Sequence, residues 1–305
     1  MSQRTFLVGT RGSRLALRQT EIVLERLRAA VPQAQFEVRA IHTTGDRTDA
    51  SLSEIGGRGV FVIELEQALL SNEIDIAVHS LKDLPSQETG GLTLAAILER
   101  EDPRDALVAR DGATLRTLPQ GATVGTGSPR RAAQLLAVRP DLRIADIRGN
   151  VDTRIRKVEE GQYHAVVLAA AGLSRLGWLE RAAEVFEPET MLPAVGQGAL
   201  AVQVRSDDAD ALTVTGAVDH PATRVAVTAE RAFERRLGGG CHAAIAALGQ
   251  MTGDHLRLRG LVGDATGRLL RDEIEGDAAA AQELGERLAE QLIAQGAAAL
   301  LGATP

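Results

Sequence analysis

Short apolar runs alternate with helical patterns along the first two thirds of the chain. The run at 74–79 contains Ile74, Ile76 and Val78 and stands between two stretches of helical spacing. β-Branched residues in a run of this length are typical of a buried strand in a parallel sheet. Further strands are predicted at 6–8, 36–41, 92–98, 123–125, 142–147, 165–169 and up to 204. Helices are predicted at 14–30, 61–70 and 151–160, and another is predicted to end at about residue 138. This alternation of strands and helices indicates an α/β fold.

One local sequence pattern occurs twice in the first two thirds of the chain, and a different order of elements is predicted after residue 221. Residues 123–131 resemble residues 6–14, with a strand, a glycine turn, a hydroxyl group and arginine in each. Gln197 lies between two glycines where the chain crosses back, which is typical of two-lobed proteins that close on a ligand. After residue 221 a helix, three strands with a Gly253-Asp254 hairpin turn and a last helix at about 278–296 are predicted. We therefore predict two doubly wound domains joined by a double crossover, at 1–98 with 199–216 and at 104–192, and a small α+β domain at 221–305.

Composition narrows the possible functions. The 305 residues carry a formal net charge of -7, and only 2% of them are aromatic. Nucleic-acid binding proteins usually have a positive balance and aromatic stacking platforms, so we expect no nucleic-acid partner. Lys82 and Lys157 are the only lysines, and all other side-chain cations apart from histidine are arginines. Codon bias is one explanation, but guanidinium groups bind carboxylates bidentately and suit a polyanionic ligand.

The cysteine and histidine content excludes several site types. The single cysteine, Cys241, rules out an internal disulfide framework. The six histidines are scattered without a ligand-like spacing, so we predict no metal. No stretch has the length and apolar character of a signal peptide or a membrane span, and we expect a cytoplasmic protein without membrane contact.

Polar side chains follow the buried run at 74–79. Asp83 comes directly after it, with Ser80 and Lys82 nearby. Ligands of open α/β sheets bind beyond the carboxyl ends of the strands, so Asp83 is a candidate for chemistry. A role in capping a turn fits the position of Asp83 equally well.

Arginines occupy corresponding positions at other strand ends. Arg11 follows the first strand and precedes a helix whose predicted N-cap is Ser13, and anions bind at such places. Solubility of an exposed helix face is the alternative for such arginines, but we favour ligand binding for Arg148 and Arg175. The candidates in the second half are Arg130, Arg131, Arg148, Arg154 and Arg175.

The glycine-rich segment at 43–59 has no clear periodicity. Arg58 and the following Phe61 would give a mobile lid two groups with which to contact a ligand. An ordinary long surface loop is the alternative.

Several runs, taken together and in order, carry a family resemblance. They lie at 9–16, 56–61, 79–85 (His-Ser-Leu-Lys-Asp-Leu-Pro), 99–105, 148–150, 192–199 and 239–241. Along nearly its whole length the sequence resembles the porphobilinogen deaminase (hydroxymethylbilane synthase) family. The resemblance implies domains like those of periplasmic binding proteins. It also implies a monomeric transferase of haem and tetrapyrrole biosynthesis that joins four porphobilinogen molecules on a dipyrromethane primer and releases hydroxymethylbilane.

The same resemblance implies roles for individual residues. The dipyrromethane cofactor is expected on Cys241 through a thioether, and Asp83 is the expected catalytic carboxylate, facing ring N-H groups and stabilising the cation left when ammonia departs. The implied cofactor-binding residues are Ser80, Lys82, Thr126, Ser128, Arg130 and Arg131. The implied substrate-binding residues are Arg11, Ser13, Arg148, Arg154, Arg175 and Gln197. Arg58 and Phe61 are assigned to the lid.

Two other classes of function fit part of the pattern. A two-lobed binding or sensor module for a small acid accounts for the arginines, but it gives Cys241 and Asp83 no role. A cysteine hydrolase or transferase would pair Cys241 with His242 or His79 as its base. Cys241 as a small buried apolar residue is the plainest alternative, although the three glycines before it favour an open loop. The mass of the intact chain separates these classes, because only the deaminase requires two extra pyrrole units.

Overall fold

The computed structural model describes residues 4–41, 62–238 and 243–302. The chain divides into two compact units, Met1–Glu101 with Ala199–Arg224 and Asp102–Gly198 with Val225–Pro305. The predicted small domain at 221–305 falls mostly within the second unit, and the division into three domains stays a prediction.

Strands and helices alternate over much of the first 216 residues, except that the strands Leu92–Ile97, Asp105–Ala109 and Thr123–Gly125 follow one another without an α-helix between them. The strands are β1 (Thr5–Arg11), β2 (Gln35–Ile41), β3 (Ile76–Ser80), β4 (Leu92–Ile97), β5 (Asp105–Ala109), β6 (Thr123–Gly125), β7 (Arg143–Ala145), β8 (Ala165–Ala169), β9 (Glu184–Val185), β10 (Leu200–Arg205), β11 (Ala244–Thr252), β12 (His255–Gly263) and β13 (Leu269–Asp277). The helices are α1 (Arg14–Ala30), α2 (Ile63–Leu70), α3 (Pro129–Val138), α4 (Val151–Glu159), α5 (Ala170–Arg175), α6 (Ala209–Gly216), α7 (Pro221–Leu237), α8 (Ala281–Ala294) and α9 (Ala297–Gly302).

The first unit contains a five-stranded sheet in the order β2-β1-β3-β10-β4. The predicted buried strand at 74–79 is β3, which pairs parallel with β1 and antiparallel with β10, so the sheet is mixed where a parallel sheet was predicted. Side chains alternate along β3 between two apolar clusters. Val78 packs on the α1 side with Val23, while Ala77 packs on the α2 side with Leu69.

The sheet of the second unit repeats this arrangement in the order β7-β6-β8-β5-β9. β6 is parallel to β7 and β8, and β5 is antiparallel to β8 and β9. The chain passes from the first unit to the second after residue 101, and β5 is the first strand after that passage. It returns to the first unit after residue 198, and β10 is the first strand there. Each of these two strands lies next to the edge of its sheet and is antiparallel to its inner neighbour. The similarity between the two halves is therefore topological, and the predicted double crossover is confirmed.

The C-terminal part adds a three-stranded antiparallel sheet in the order β11-β12-β13. Thr252 pairs with His255 around a two-residue turn in which Gly253 has φ +60°, so the predicted hairpin is confirmed. Helices α7 and α8 pack in one apolar cluster with this sheet. They approach so closely that a Cβ atom added to Gly285 would lie 2.2 Å from the carbonyl oxygen of Ala229.

Candidate functional site

The carboxyl ends of β1 and β3 lie side by side in the first unit. Their parallel register sets Gly9 opposite Ala77 and so brings Arg11, the last residue of β1, beside the end of β3. A 3-10 helix, Leu81–Asp83, follows β3 and leaves Asp83 partly exposed at the same edge. The structure therefore brings together the predicted anion-binding residue Arg11 and the predicted catalytic residue Asp83.

The hydroxyl groups at this edge make hydrogen bonds within the protein. The Oγ atom of Ser80 accepts a bond of 2.9 Å from Nε2 of Gln19, a buried residue of α1. The Oγ atom of Ser13 accepts from the backbone N-H of Ala16 at 3.3 Å and caps α1, as predicted. Lys82 is partly exposed on the 3-10 helix. The ligand-binding roles of these three predicted residues stay predictions.

His79 is a buried titratable residue at the same edge. Burial lowers the pKa of His79 to about 4, although the Gln203 amide and the Asp83 carboxylate act to raise it. The charge of Arg11 contributes to the lowering. The imidazole therefore lies close enough to Asp83 and Arg11 to feel both charges, and it is neutral at pH 7.

The corresponding edge of the second unit begins with two capping hydroxyl groups. Ser128 is the N-cap of α3, where its Oγ atom accepts from the backbone N-H of Arg131. The Oγ1 atom of Thr126 accepts from the N-H of Ser128 at 3.1 Å. These bonds hold the turn between β6 and α3 in place at the carboxyl end of β6.

Three further predicted arginines of the second unit are partly exposed: Arg148 follows β7, Arg154 lies in the first half of α4 and Arg175 ends α5. Arg148 forms an ion pair, while Arg154 and Arg175 donate to backbone carbonyl groups. The bonds run from Arg148 Nε to Asp146 Oδ2 (2.9 Å), from Arg154 Nε to Gly149 O (2.7 Å) and from Arg175 Nη2 to Gly198 O (2.6 Å). Their position is the predicted one, and their role in binding substrate stays a prediction.

Arg130 and Arg131 form a buried cluster with Asp105, the first residue of β5. Asp105 is fully buried, and its Oδ2 atom lies 2.7 Å from Nη1 of Arg130. Its Oδ1 atom accepts from Nη2 of Arg131 at 2.7 Å and from Nε of the same side chain at 3.1 Å. Two cations against one anion leave these three groups with a net charge of about +1. The prediction that both arginines bind the cofactor stays open, and Asp105 is added as their partner.

Asp105 is ionised within the cluster in spite of its burial. Burial opposes ionisation of Asp105, but the charges and hydrogen bonds of Arg130 and Arg131 outweigh it and hold the pKa of this carboxyl far below its usual range. Both guanidinium groups are further bound to backbone carbonyls, Arg130 to Leu192 and Arg131 to Val167. The cluster therefore connects α3, β5 and β8 through charged hydrogen bonds.

Buried glutamines hold the segment that crosses between the units. Nε2 of Gln197 donates to the carbonyl of Pro103 at 2.7 Å and to Oδ1 of Asp105 at 3.0 Å. Gln134 of α3 accepts from the N-H of Leu192 at 2.7 Å and donates to the carbonyl of the same residue at 3.0 Å. Gln197, predicted to bind substrate, thus has a side chain engaged within the second unit.

Glu230 of α7 binds two backbone N-H groups from different elements. Its Oε2 atom accepts from Gly196 at 2.7 Å, and its Oε1 atom accepts from Gly249 in β11 at 2.8 Å. The helix then ends at Leu237, and Gly238 follows with φ +68°. A fully buried carboxylate thus fixes the helix that leads into the predicted cysteine loop.

Three predicted residues lie outside the described part of the chain: Arg58 and Phe61 of the lid, and Cys241. Within residues 4–41, 62–238 and 243–302, no group of three or more His, Cys, Asp or Glu side chains is arranged to hold a metal ion. None of the helices in these ranges combines the length and apolar character needed to cross a bilayer.

Sequence reasoning missed the residues that support the candidate site, namely Gln19, Asp105, Gln134, Gln203 and Glu230. Asp105 carried a usable signal, because an acidic residue directly before a buried apolar strand needs a partner. The others are polar residues within helices or strands, and no local pattern shows which backbone groups they meet.

Two family models cover most of the chain. The model described as porphobilinogen deaminase, dipyromethane cofactor binding domain, matches residues 6–213. The model of the porphobilinogen deaminase C-terminal domain matches residues 224–294. The chain belongs to the porphobilinogen deaminase family.

Curated proteins agree with this assignment. A porphobilinogen deaminase of Roseiflexus sp. (strain RS-1) is 51% identical over 300 residues, which cover 98% of this chain and 99% of that protein. A porphobilinogen deaminase of Syntrophus aciditrophicus is 47% identical over 296 residues, covering 96% of this chain and 97% of that protein. The similarity therefore extends over nearly the full length of this chain and of each relative.

Solved structures give a weaker likeness. The VFT2 domain of Bordetella pertussis BvgS, as a double mutant, aligns with 70% of this chain and 86% of its own length, at 17% identity and a TM-score of 0.44. A value at this level does not bear on function.

Proposed function

We propose that this chain is a porphobilinogen deaminase, a transferase that joins four porphobilinogen molecules head to tail and releases hydroxymethylbilane. The proposal includes a dipyrromethane cofactor bound through a thioether to Cys241, and a monomeric, cytoplasmic enzyme. Membership of the family supports the reaction. The observation that carries the proposal is the partly exposed Asp83 carboxylate at the strand ends of the first unit, close to a buried neutral imidazole.

The charged residues fit an anionic cofactor. Each pyrrole ring of a dipyrromethane bears an acetate and a propionate, so the group needs several cationic partners. The buried cluster of Arg130, Arg131 and Asp105 has an excess of one positive charge among its three groups. Ser128 adds a hydroxyl group at the start of the same helix. We assign the cofactor carboxylates to these residues, together with Lys82.

The partly exposed arginines suit the incoming substrate. Porphobilinogen carries the same two carboxylates, and each addition brings further negative charge to be neutralised. Arg148, Arg154 and Arg175 each have a polar partner that orients the side chain while leaving it partly exposed. Guanidinium groups held in this way can donate hydrogen bonds to carboxylates with little loss of side-chain entropy. Arg11 plays the same part at the end of β1.

Asp83 is the proposed catalytic residue. When bound, the dipyrromethane supplies the free pyrrole carbon at which the chain is extended. Loss of ammonia from the substrate leaves a cation, and a carboxylate held beside its ring nitrogen stabilises that charge as it develops. An interaction of this kind typically contributes about 10²-fold to 10³-fold in rate. The same carboxylate is positioned to receive a proton from the ring as the aromatic system is restored.

Two measurements test the proposal. The intact mass of the purified chain should exceed that calculated from the sequence by two pyrrole units, and Cys241→Ser should lack the excess. Among chains that carry it, Asp83→Asn should lose about 10²-fold to 10³-fold in turnover of porphobilinogen, while Asp83→Glu should keep part of the activity.

The matched control is Asp207→Asn, which removes an exposed carboxylate from the same unit. Its turnover should equal that of the unchanged protein. Turnover by Asp83→Asn at the level of this control would contradict the catalytic assignment, and an unmodified mass after incubation with porphobilinogen would contradict the cofactor assignment.

A further inference from the structure

His79 lies on the face of the sheet that is covered by α2. In the antiparallel register Ala201 is opposite His79, and Gln203 is opposite Ala77. Side chains two positions apart in a strand share a face, so Gln203 is the diagonal neighbour of His79 on that face. Both side chains are buried, His79 at 5% and Gln203 at 4% exposure.

The two side chains present complementary unpaired atoms to each other. Nε2 of His79 and Oε1 of Gln203 are both buried, and in the described structure both lack a hydrogen bond of full geometry. The Gln203 amide nevertheless acts on the imidazole as a hydrogen-bonding group. One hydrogen bond between these two side chains would satisfy both buried atoms, and a buried polar atom without a partner destabilises the fold.

Glu66 of α2 determines which way the Gln203 amide points. Nε2 of Gln203 donates to Oε1 of Glu66 at 2.9 Å, and Oε2 of the same carboxylate accepts from Oγ1 of Thr89 at 2.8 Å. An ionised carboxylate only accepts hydrogen bonds, so it requires the NH2 end of the amide. The oxygen end of Gln203 then faces His79, and only an imidazole that carries its proton on Nε2 can donate to it.

We propose that His79 is a positioning residue for Asp83, held by Glu66 and Gln203 as a neutral imidazole with its proton on Nε2. The proposal rests on the assignment of Asp83 as the catalytic carboxylate. The parallel register of β1 and β3 places Arg11 beside His79, and Asp83 lies in the 3-10 helix that follows β3. Glu66 lies beyond the Gln203 amide, so these three are the charged groups around the imidazole on the elements described above.

The physical reason lies in what a charged imidazole would do. An imidazolium beside Asp83 would pair with the carboxylate and cancel the negative charge on which stabilisation of the substrate cation depends. A neutral imidazole of fixed tautomer holds the end of β3 in place without offering that pair.

Nitrogen-15 NMR of the holoenzyme labelled at histidine tests the protonation state directly. The His79 signals, assigned by their absence from His79→Gln, should show a proton on Nε2, a bare Nδ1 and no titration between pH 6 and 8. Gln203→Leu should convert the signals to a mixture of tautomers. A proton on Nδ1 in the unchanged protein, or titration within that range, would overturn the proposal.

Steady-state kinetics separate positioning from packing. The amide nitrogen of glutamine reaches the place of imidazole Nε2, whereas that of asparagine reaches the place of Nδ1. His79→Gln should therefore keep kcat within a few-fold, while His79→Asn should lower kcat by up to about 100-fold, the cost of a displacement of about 1 Å, with KM nearly unchanged. Equal losses in the two variants, or no loss in either, would show that His79 only fills space.

A failure of the His79 proposal can be distinguished from a failure of the assignment of Asp83 as the catalytic carboxylate. The NMR measurement does not depend on turnover and reports on His79 even if Asp83 proves dispensable. Asp83→Asn measured in the same assay reports on the assignment itself. Full activity of Asp83→Asn, together with the expected tautomer of His79, would remove the proposed function of Asp83 but leave the hydrogen-bonded chain intact.

Discussion

Replacement of Asp105 by asparagine should destabilise the second unit more than any change of a surface charge. The substitution keeps the size of the side chain and removes the carboxylate that Arg130 and Arg131 share. Both guanidinium groups are nearly buried, at 5% and 8% side-chain exposure, so water cannot replace the missing anion. Two buried cations would then face an uncharged amide.

The magnitude follows from the burial of the group. Removing one partner of a buried ion pair typically costs about 3–5 kcal/mol, because the other charge is left uncompensated. The asparagine oxygen can still accept from Arg131 or Gln197, so we expect the lower end, about 3 kcal/mol. This is a factor of about 10² in the folding equilibrium.

Urea denaturation followed by circular dichroism measures the effect. With a slope of about 3 kcal/mol per M, the midpoint of the Asp105→Asn transition should fall by about 1 M. The control is Glu283→Gln, which removes a carboxylate from an exposed pair with Arg287 whose atoms are 3.8 Å apart. A change below about 0.5 kcal/mol is expected there.

The pH dependence gives a second test of the same pair. The pKa of Asp105 is held far below its usual range, so its stabilising contribution is present above the unfolded value of about 4 and is lost only as the pH falls toward the folded value. The stability difference between the unchanged protein and Asp105→Asn should be constant from about pH 8 to 5 and shrink below pH 4. A midpoint shift no larger than that of Glu283→Gln, or a difference that disappears near neutral pH, would refute this reasoning.

Three further predictions concern packing and burial elsewhere. Gly285→Ala should lower the free energy of unfolding by about 1–3 kcal/mol, because the added Cβ atom would meet the backbone of α7. The control is Gly216→Ala, whose Cβ atom would have no other atom within 4 Å; in the same urea titration it should be neutral or stabilising by up to about 1 kcal/mol. The pKa of His79 is lowered to about 4 in the folded protein and is near 6.5 in the unfolded chain, so unfolding takes up a proton at pH values between these two. The free energy of unfolding should therefore fall by about 3 kcal/mol as the pH drops from about 6.5 to 4, and His79→Gln should show a shallower fall. Gln134→Leu should leave the backbone N-H of Leu192 unpaired, while the carbonyl of Leu192 keeps its bond from Arg130, and should cost about 1–3 kcal/mol by thermal denaturation; an unchanged midpoint would mean that water or the backbone replaces the amide.

Local pattern was sufficient for most of the secondary structure. The helix at 14–30 and its Ser13 cap, the strand at 165–169 and the Gly253-Asp254 turn were all predicted at the observed positions. These elements are specified by side-chain periodicity and by single capping or turn residues, which act within a few positions along the chain.

Short or weakly patterned elements were missed. Helices α5, α6 and α9 and strand β9 have eight residues or fewer and carry too few turns or alternations to show a period. The helix predicted at about 278–296 is observed as a 3-10 turn followed by α8, and it ends before Gly296, where φ is +101°; the short helix α9 that follows was not predicted. A glycine can end a helix or be accommodated within it, and the neighbours decide which.

Residues close together in the chain were enough to predict most strands and helices and the position of Arg11 and Asp83 at strand ends, while the family was evident from motifs that need no contact with one another. Only the tertiary structure decided the direction of β10 beside β3, the burial of Arg130 and Arg131 against Asp105, and the line of polar contacts from Glu66 to His79. These contacts join residues from 25 to 137 positions apart. Their energies depend on burial and on the partner that the fold supplies, and neither is present in the local pattern.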